Sequence, residues 1–208
     1  IADSLLVAMY DWVAKGEEPP TSRYPRIADG SLVPSHIDGS INHDAWNPIN
    51  GVNHPAANYT PSYANYGDRW ASERIIDRHP KTSDMHYRSL VPAVNSDNND
   101  SAETTVLPPL TQVPLATFLP WNLRAVSTGA EKSLARLSGG YIPLASDAAT
   151  AMQSRDTRSS IAVLYSSFDD YLAKYEAATD SLIGEGYLLP GFKQTYMDIA
   201  LSNSAVFE

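Results

Sequence analysis

Residues 86–124 read HYRSLVPAVNSDNNDSAETTVLPPLTQVPLATFLPWNLR, and the fold turns on how this stretch is read. Tyr87 to Val94 is an apolar run rich in Leu and Val, as a buried strand is. Asn95, Ser96, Asp97, Asn98, Asn99 and Asp100 follow without one apolar residue. Short amide and carboxylate side chains bond their own backbone and tolerate left-handed conformations, so this run predicts a turn. The chain returns through Thr104 to Leu107, bends at Pro108-Pro109, and runs from Val113 to Phe118 into Trp121-Asn122. The expected order is strand, turn, strand, bend, strand. Pro92, Pro108, Pro109, Pro114 and Pro120 each remove a ladder donor, which makes these edge or bulged strands and not the centre of a parallel sheet.

Working outward, Ile1 to Lys15 predicts a helix. Leu5, Met9, Trp12 and Val13 fall on one 3.6-residue stripe, Gly16 is placed to end it, and Pro19-Pro20 forbid continuation. A stripe carrying Trp and Met is read as core, docked either on later parts of the chain or on a portion preceding it. Residues 17–85 are expected to be loop-rich. Asp29-Gly30 between Ile27 and Leu32-Val33 is a hairpin signal, whereas Ser35 to Asp68 shows no periodicity. The aromatic content of that region (Trp46, Tyr59, Tyr63, Tyr66, Trp70) predicts a packed loop lying across a surface, over a substrate pocket. After the strands of residues 86–124, residues 125–208 read as mostly helical. Thr128 to Leu137 is a short helix candidate, Tyr141 to Leu144 an apolar link, and Ser146 or Asp147 caps a helix over Ala148 to Gln153. Ser167 to Ile183 keeps helical spacing through Phe168, Tyr171, Leu172, Tyr175, Ala178 and Leu182, and a last helix runs from about Phe192 to Leu201. The expected class is α+β or mixed: proline-rich antiparallel strands with an N-terminal helix and a C-terminal helical hairpin.

The 208 residues suffice for one sizeable core. Hydrophobic content of 43% and charged content of 19% are those of a globular protein. A net charge of −9, with 15 scattered basic residues, argues against nucleic acid or an anionic membrane as partner. No apolar run approaches the roughly 20 residues of a membrane helix. Without cysteine there is neither disulfide nor thiolate chemistry, and a periplasmic or secreted setting is compatible. The opening at Ile1, inside a helical pattern, leads us to expect a fragment or processed subunit of something longer.

Three stretches carry a family resemblance. LVPAVNSDNND…LPPLTQVPLATFLPWNLR resembles the C-terminal part of a bacterial α/β-hydrolase-domain family of esterase-like proteins, whose members carry LVP-x-V-D-x-D-G-N-E, a proline-flanked VPL-x-T strand and W-N-L-R. LLVAMYDWVAKGEEPPTSRYPRIADGSLVP and SGGYIPLASDAATAMQSRDTRSSI…LLPGFKQTYMDIAL are similar to further parts of that family, so most of the chain is covered. Where relatives have D-G-N-E, Asn98, Asn99, Asp100 and Ser101 are expected to give a different turn. The resemblance implies the C-terminal portion of a serine hydrolase acting on carboxylic esters. It would pack on an α/β-hydrolase core absent from this sequence, and the core would be supplied by the same protein or by a second chain. Serine, acid and histidine would lie upstream of Ile1, so no catalytic residue is assigned to this chain.

The residues themselves leave alternatives open. No G-x-S-x-G elbow occurs; Ser138-Gly139-Gly140 comes nearest and reads as a turn. His36, His43 and His54, with Asp38 and Asp44 between, are the residue types that hold zinc or iron, but their spacing matches no ligand pattern and local hydrogen bonding is the plainer reading. His79, before Pro80, and His86 read as structural or exposed. Asp97 and Asp100 with their Asn neighbours are oxygen-rich enough for calcium but lack the glycine and closing Glu of an EF-hand. Glu17-Glu18 reads as a solvated helix end, and nothing selects a carboxylate pair for glycoside cleavage. Asn58-Tyr59-Thr60 and Asn99-Asp100-Ser101 match the glycosylation sequon. Trp121, Asn122 and Arg124 offer stacking and bidentate recognition of a carboxylate or ester and are the substrate-lining candidates, set against a capping and ion-pairing role. No cofactor is expected. The competing function is a non-catalytic binding or assembly module contacting carbohydrate or a partner chain.

Overall fold

The computed structural model describes residues 1–55, 61–78, 81–101, 103–136 and 138–208, with residues 81–85 described as backbone. The protein is mixed α and β, built from short antiparallel strand pairs and helices. In chain order, α1 (Ala2–Lys15) leads to β1 (Leu32–Pro34), β2 (His36–Ile37), β3 (Ser40–Ile41) and β4 (Ser62–Asn65). Then come α2 (Trp70–Glu73), β5 (Lys81–His86), β6 (Leu90–Pro92), α3 (Pro109–Gln112), β7 (Ala116–Leu119) and β8 (Gly140–Pro143). Helices α4 (Ala148–Ser154), α5 (Ile161–Leu164), α6 (Phe168–Gly184) and α7 (Lys193–Leu201) complete the chain.

Among the described residues every ladder has two strands, β1 with β6, β2 with β3, β4 with β5 and β7 with β8, all antiparallel. This explains the prolines: Pro34, Pro92 and Pro143 sit on strands with one partner, so a missing donor faces no second neighbour. The three strands expected in residues 86–124 are therefore not neighbours of one another. Leu90–Pro92 pairs with Leu32–Pro34, and Ala116–Leu119 pairs with Gly140–Pro143, the segment read as an apolar link. Thr104 to Leu107 is not a strand. The N–H groups of Thr104 and Thr105 turn back onto the Ser101 carbonyl, and Pro109, preset for the first helical position, opens α3 instead of a bend.

Other expectations shift in the same way. Asp29-Gly30 is a turn, with the Gly30 N–H on the Ile27 carbonyl, but β1 goes on to pair with β6 and not with the strand before it. The tight hairpin is instead Ile37-Asp38-Gly39-Ser40, where Asp38 and Gly39 have φ of 49° and 80°. Both central residues are left-handed, as the favoured two-residue hairpin turn demands. Thr128 to Leu137 is not a helix: a single 3₁₀ turn over Val126–Thr128 stops at left-handed Gly129, and Leu134 returns to bridge Leu123. Leu137, Tyr59, the Asn58-Tyr59-Thr60 sequon and His79-Pro80 lie outside the described residues.

The helices follow local rules closely. Asp147 caps α4 by accepting the Thr150 N–H, and Ser167 caps α6 by accepting that of Asp170. The core lies in this half. Tyr165, Tyr171 and Tyr175 pack with Val113, Leu144 and Ile161, while Leu182, Tyr187 and Leu188 form a second cluster joined to the first through Tyr196. Helices α6 and α7 pack together as the C-terminal helical hairpin. The α1 stripe does not dock on later parts of the chain. Leu5 (51%), Met9 (56%), Trp12 (56%) and Val13 (81%) are exposed and only Ser4 is buried on α1, so among the described residues nothing covers that face. Its connection to the rest is made by the segment after it, where the Tyr187 hydroxyl bonds the Thr21 carbonyl and Arg23 pairs with Glu185.

Candidate functional site

The Asn95–Asp100 turn is the structural centre of the β region. Asn95 Oδ1 accepts the N–H groups of Asp97 and Asn99 at 2.9 and 3.0 Å, winding the turn on itself. Asn98 sits at φ 59°, a conformation Asn adopts more easily than most residues. Laid residue by residue from Leu90, the family pattern LVP-x-V-D-x-D-G-N-E sets its glycine on Asn98, so the departure falls one residue earlier than first read. The Asn98 carboxamide then clasps the backbone of Asn47, accepting its N–H at 2.6 Å and donating to its carbonyl at 2.9 Å. Asn99 does the same to β7, donating to the Ala116 carbonyl and accepting the Phe118 N–H. Asp97 accepts the Ser159 N–H at 2.7 Å. Both Asn98 and Asn99 are 3% exposed, and their oxygens already hold backbone N–H groups, in keeping with the turn reading.

Around this turn opens a cavity of about 690 Å³, within the range of small-molecule sites. Its walls come from separate parts of the chain: Ser35 and His36 at the β1–β2 corner, Trp46 and His54 from the following loop, Asp100 from the turn, and Trp121 beyond β7. Buried Asn42 sets up the loop, its carboxamide donating to the Pro34 carbonyl at 2.8 Å and its own carbonyl accepting the Trp46 N–H. The Asp44 carbonyl then accepts the Val94 N–H, closing the loop onto the strand that leads into the turn.

Four rings form one cluster. His54 lies 5.5 Å from Trp121, 5.9 Å from Trp46 and 5.7 Å from His36, and the two indoles are 5.5 Å apart and inclined at 65°. Edge-to-face contacts of this kind suit the aromatic quadrupole. His54 Nδ1 is 3.0 Å from the Pro55 carbonyl, which only accepts, so Nδ1 carries the proton. Burial, helped by the neighbouring His36, moves the His54 pKa below its ordinary value against the opposing pull of that carbonyl. Burial alone moves the Asp100 carboxyl above its ordinary value. Among the described residues no hydrogen bond or ion pair reaches the Asp100 side chain.

The residues singled out in the sequence are distributed unevenly. Trp121 lines the cavity, whereas Asn122 and Arg124 are exposed beside it. The Asn122 carbonyl accepts the Ala135 N–H and Arg124 Nε donates to the Leu134 carbonyl at 3.2 Å. Of the three histidines, His36 and His54 share the cavity and His43 is exposed outside it. No group of three or more His, Cys, Asp or Glu among the described residues is placed to hold a metal ion. His86 lies on the β4–β5 ladder, 3.5 Å from the Ser62 hydroxyl. The sequence reading missed Asp100 as a cavity residue, since an acidic residue at a turn end looks like any other.

It also missed Arg158, which is 6% exposed. Its guanidinium forks onto Asp156 at 2.6 to 3.2 Å and donates to the Thr117 hydroxyl and the Ile142 and Pro143 carbonyls, fastening β7 and β8 behind the cavity. That fork holds the Asp156 carboxyl below its ordinary pKa.

The model of a family described as alpha/beta hydrolase domain matches residues 1–198, and the chain belongs to that family. No curated protein and no solved structure matches the chain.

Proposed function

We propose that this member of the alpha/beta hydrolase domain family is the C-terminal portion of a serine hydrolase acting on carboxylic esters. In this reading it packs on the catalytic core and shapes the substrate cleft. The family match over residues 1–198 carries the proposal. Two observations support the local role. The apolar face of α1, with Leu5, Met9, Trp12 and Val13 exposed, is the surface the core would cover. The loop bearing Trp46 and His54 walls a cavity of substrate size.

The chemistry would be nucleophilic. A serine Oγ attacks the ester carbonyl, a histidine takes its proton and returns it to the leaving alcohol, and a carboxylate orients that histidine before water releases the acid. The serine is assigned to a portion outside residues 1–208, because no G-x-S-x-G elbow occurs within them, and the histidine and acid are assigned with it on the family resemblance. The test is fluorophosphonate labelling with peptide mapping on the native protein that carries this sequence, beside hydrolysis of p-nitrophenyl butyrate. Labelling of a serine outside residues 1–208, with ester turnover, is expected. A labelled serine within these residues, or neither label nor turnover, overturns the proposal.

A further inference from the structure

The cavity has an unbalanced chemistry. No Lys or Arg lines it, and its titratable groups are His36, His54 and Asp100. The polar neighbours of Asp100 are spent, since the Asn98 and Asn99 carboxamides are engaged at both ends by backbone. Asp100 therefore contributes a half-buried carboxylate, without partner among the described residues, to a space walled mainly by aromatic and aliphatic side chains, with the hydroxyls of Ser35, Ser89 and Thr111 also lining it. A carboxylate removed from water is costly unless a cation or donors meet it. Indole faces attract cations within about 6 Å through their quadrupole, most strongly where water is excluded. An anion would be repelled by Asp100.

We propose that this cavity binds a small organic cation of the quaternary or alkyl ammonium class, with Asp100 as its counter-ion and Trp46 and Trp121 as its aromatic walls. The charge anchors the head group and the indole surfaces that line the cavity meet its methyl or methylene groups. Neutral His54, with its proton committed to the Pro55 carbonyl, adds a ring without adding a repelling charge. Binding requires no turnover, so it stands or falls independently of the ester hydrolysis proposed above.

The probe is choline, compared with 3,3-dimethylbutan-1-ol, its uncharged carbon isostere, by titrating the tryptophan fluorescence of the 208-residue chain. Choline is expected to bind at least about tenfold more tightly than the alcohol. Asp100→Asn, which keeps the side-chain shape, removes that preference while leaving affinity for the alcohol unchanged. Trp121→Ala weakens choline binding severalfold with Asp100 intact. Equal affinity for choline and the alcohol, no binding of choline, or an Asp100→Asn variant that still prefers choline would each overturn the proposal. If the variant does not fold, the comparison of the two probes on the unaltered chain decides by itself.

Discussion

Replacing Arg158 by Met is the most informative single perturbation of this fold. Met fills a similar volume, so the change removes charge and donors with little loss of packing. The Arg158 side chain is 2% exposed and that of Asp156 10%, so the carboxylate left behind keeps the backbone N–H of residue 158 but reaches little water. The Ile142 and Pro143 carbonyls and the Thr117 hydroxyl each lose a donor at the same time. Breaking one partner of a buried ion pair typically costs about 3–5 kcal/mol, most of it the penalty of the orphaned charge. For a domain of this size that corresponds to a fall in Tm of roughly 6–20 °C. Equilibrium urea unfolding at pH 7, followed by far-UV circular dichroism, measures it. Arg158→Met combined with Asp156→Asn removes the orphaned charge and should recover at least about 1.5 kcal/mol of the loss. The sign with pH follows from Asp156. Its carboxyl is lowered in the folded state by the Arg158 fork, so the pair's contribution is full above the ordinary carboxylate value and fades as pH falls through the lowered one. The gap between unaltered chain and variant should narrow on that acid limb. A loss under about 1 kcal/mol, or a double variant no better than the single one, would refute the assignment of Arg158 as the buried fastener of β7 and β8.

Asp100→Asn should raise Tm at pH 7: burial lifts the Asp100 carboxyl above its ordinary value, so the charged form opposes folding, and the gain should vanish once the pH is low enough to protonate it. An unchanged or lower Tm would mean the carboxylate has a partner in the folded state. Asn99→Leu leaves the Ala116 carbonyl and the Phe118 N–H without partners and should cost about 2–3 kcal/mol in urea unfolding. Ser167→Ala removes the α6 cap and should cost about 1 kcal/mol, measured the same way, with α6 amides exchanging faster by hydrogen exchange. Trp12→Glu should shift the stability of the isolated chain by no more than about 0.5 kcal/mol, since the side chain is 56% exposed, yet abolish co-purification with a hydrolase portion if that portion covers α1.

What was legible in the sequence was what short-range physics decides. The stop of α1 at Gly16 and the caps Asp147 and Ser167 depend on residues within one turn, and each was visible as a residue type at a spacing. Strand partners depend on residues far away. Leu90–Pro92 finds Leu32–Pro34 and not its neighbour across the Asn turn because that turn closes with a single bridge, Val94 to Asp100, and spends its amides elsewhere. The same limit hid the function of Arg158, whose acceptors come from β7, β8 and Asp156. Asp38-Gly39 was legible and passed over, since the surrounding loop lacks alternation to frame it. The stripe on α1 shows the opposite failure: periodicity identifies which face is apolar, but not whether its cover lies within the same chain.

The candidate site was legible only in pieces. Trp121, His36 and His54 were each noticed for a different reason, as a recognition motif or as metal ligands, and the cavity joins them to Trp46 and Asp100. The contrast within the turn is what gives that junction meaning. Asp97, Asn98 and Asn99 all lie within 7% exposure and each finds a backbone partner, as buried polar groups must. Asp100, the next residue, is held half-buried on the wall of the cavity and has no partner among the described residues. A turn able to satisfy three consecutive polar side chains has the means to satisfy a fourth, or to leave it in solvent. Within this turn the three buried side chains are satisfied and the half-buried Asp100 carboxylate is not, which leaves a charge there for a ligand to meet. The missing partner is then a positive charge brought from outside, and Trp46 and Trp121, in contact with each other on the cavity wall, offer the rings such a charge prefers.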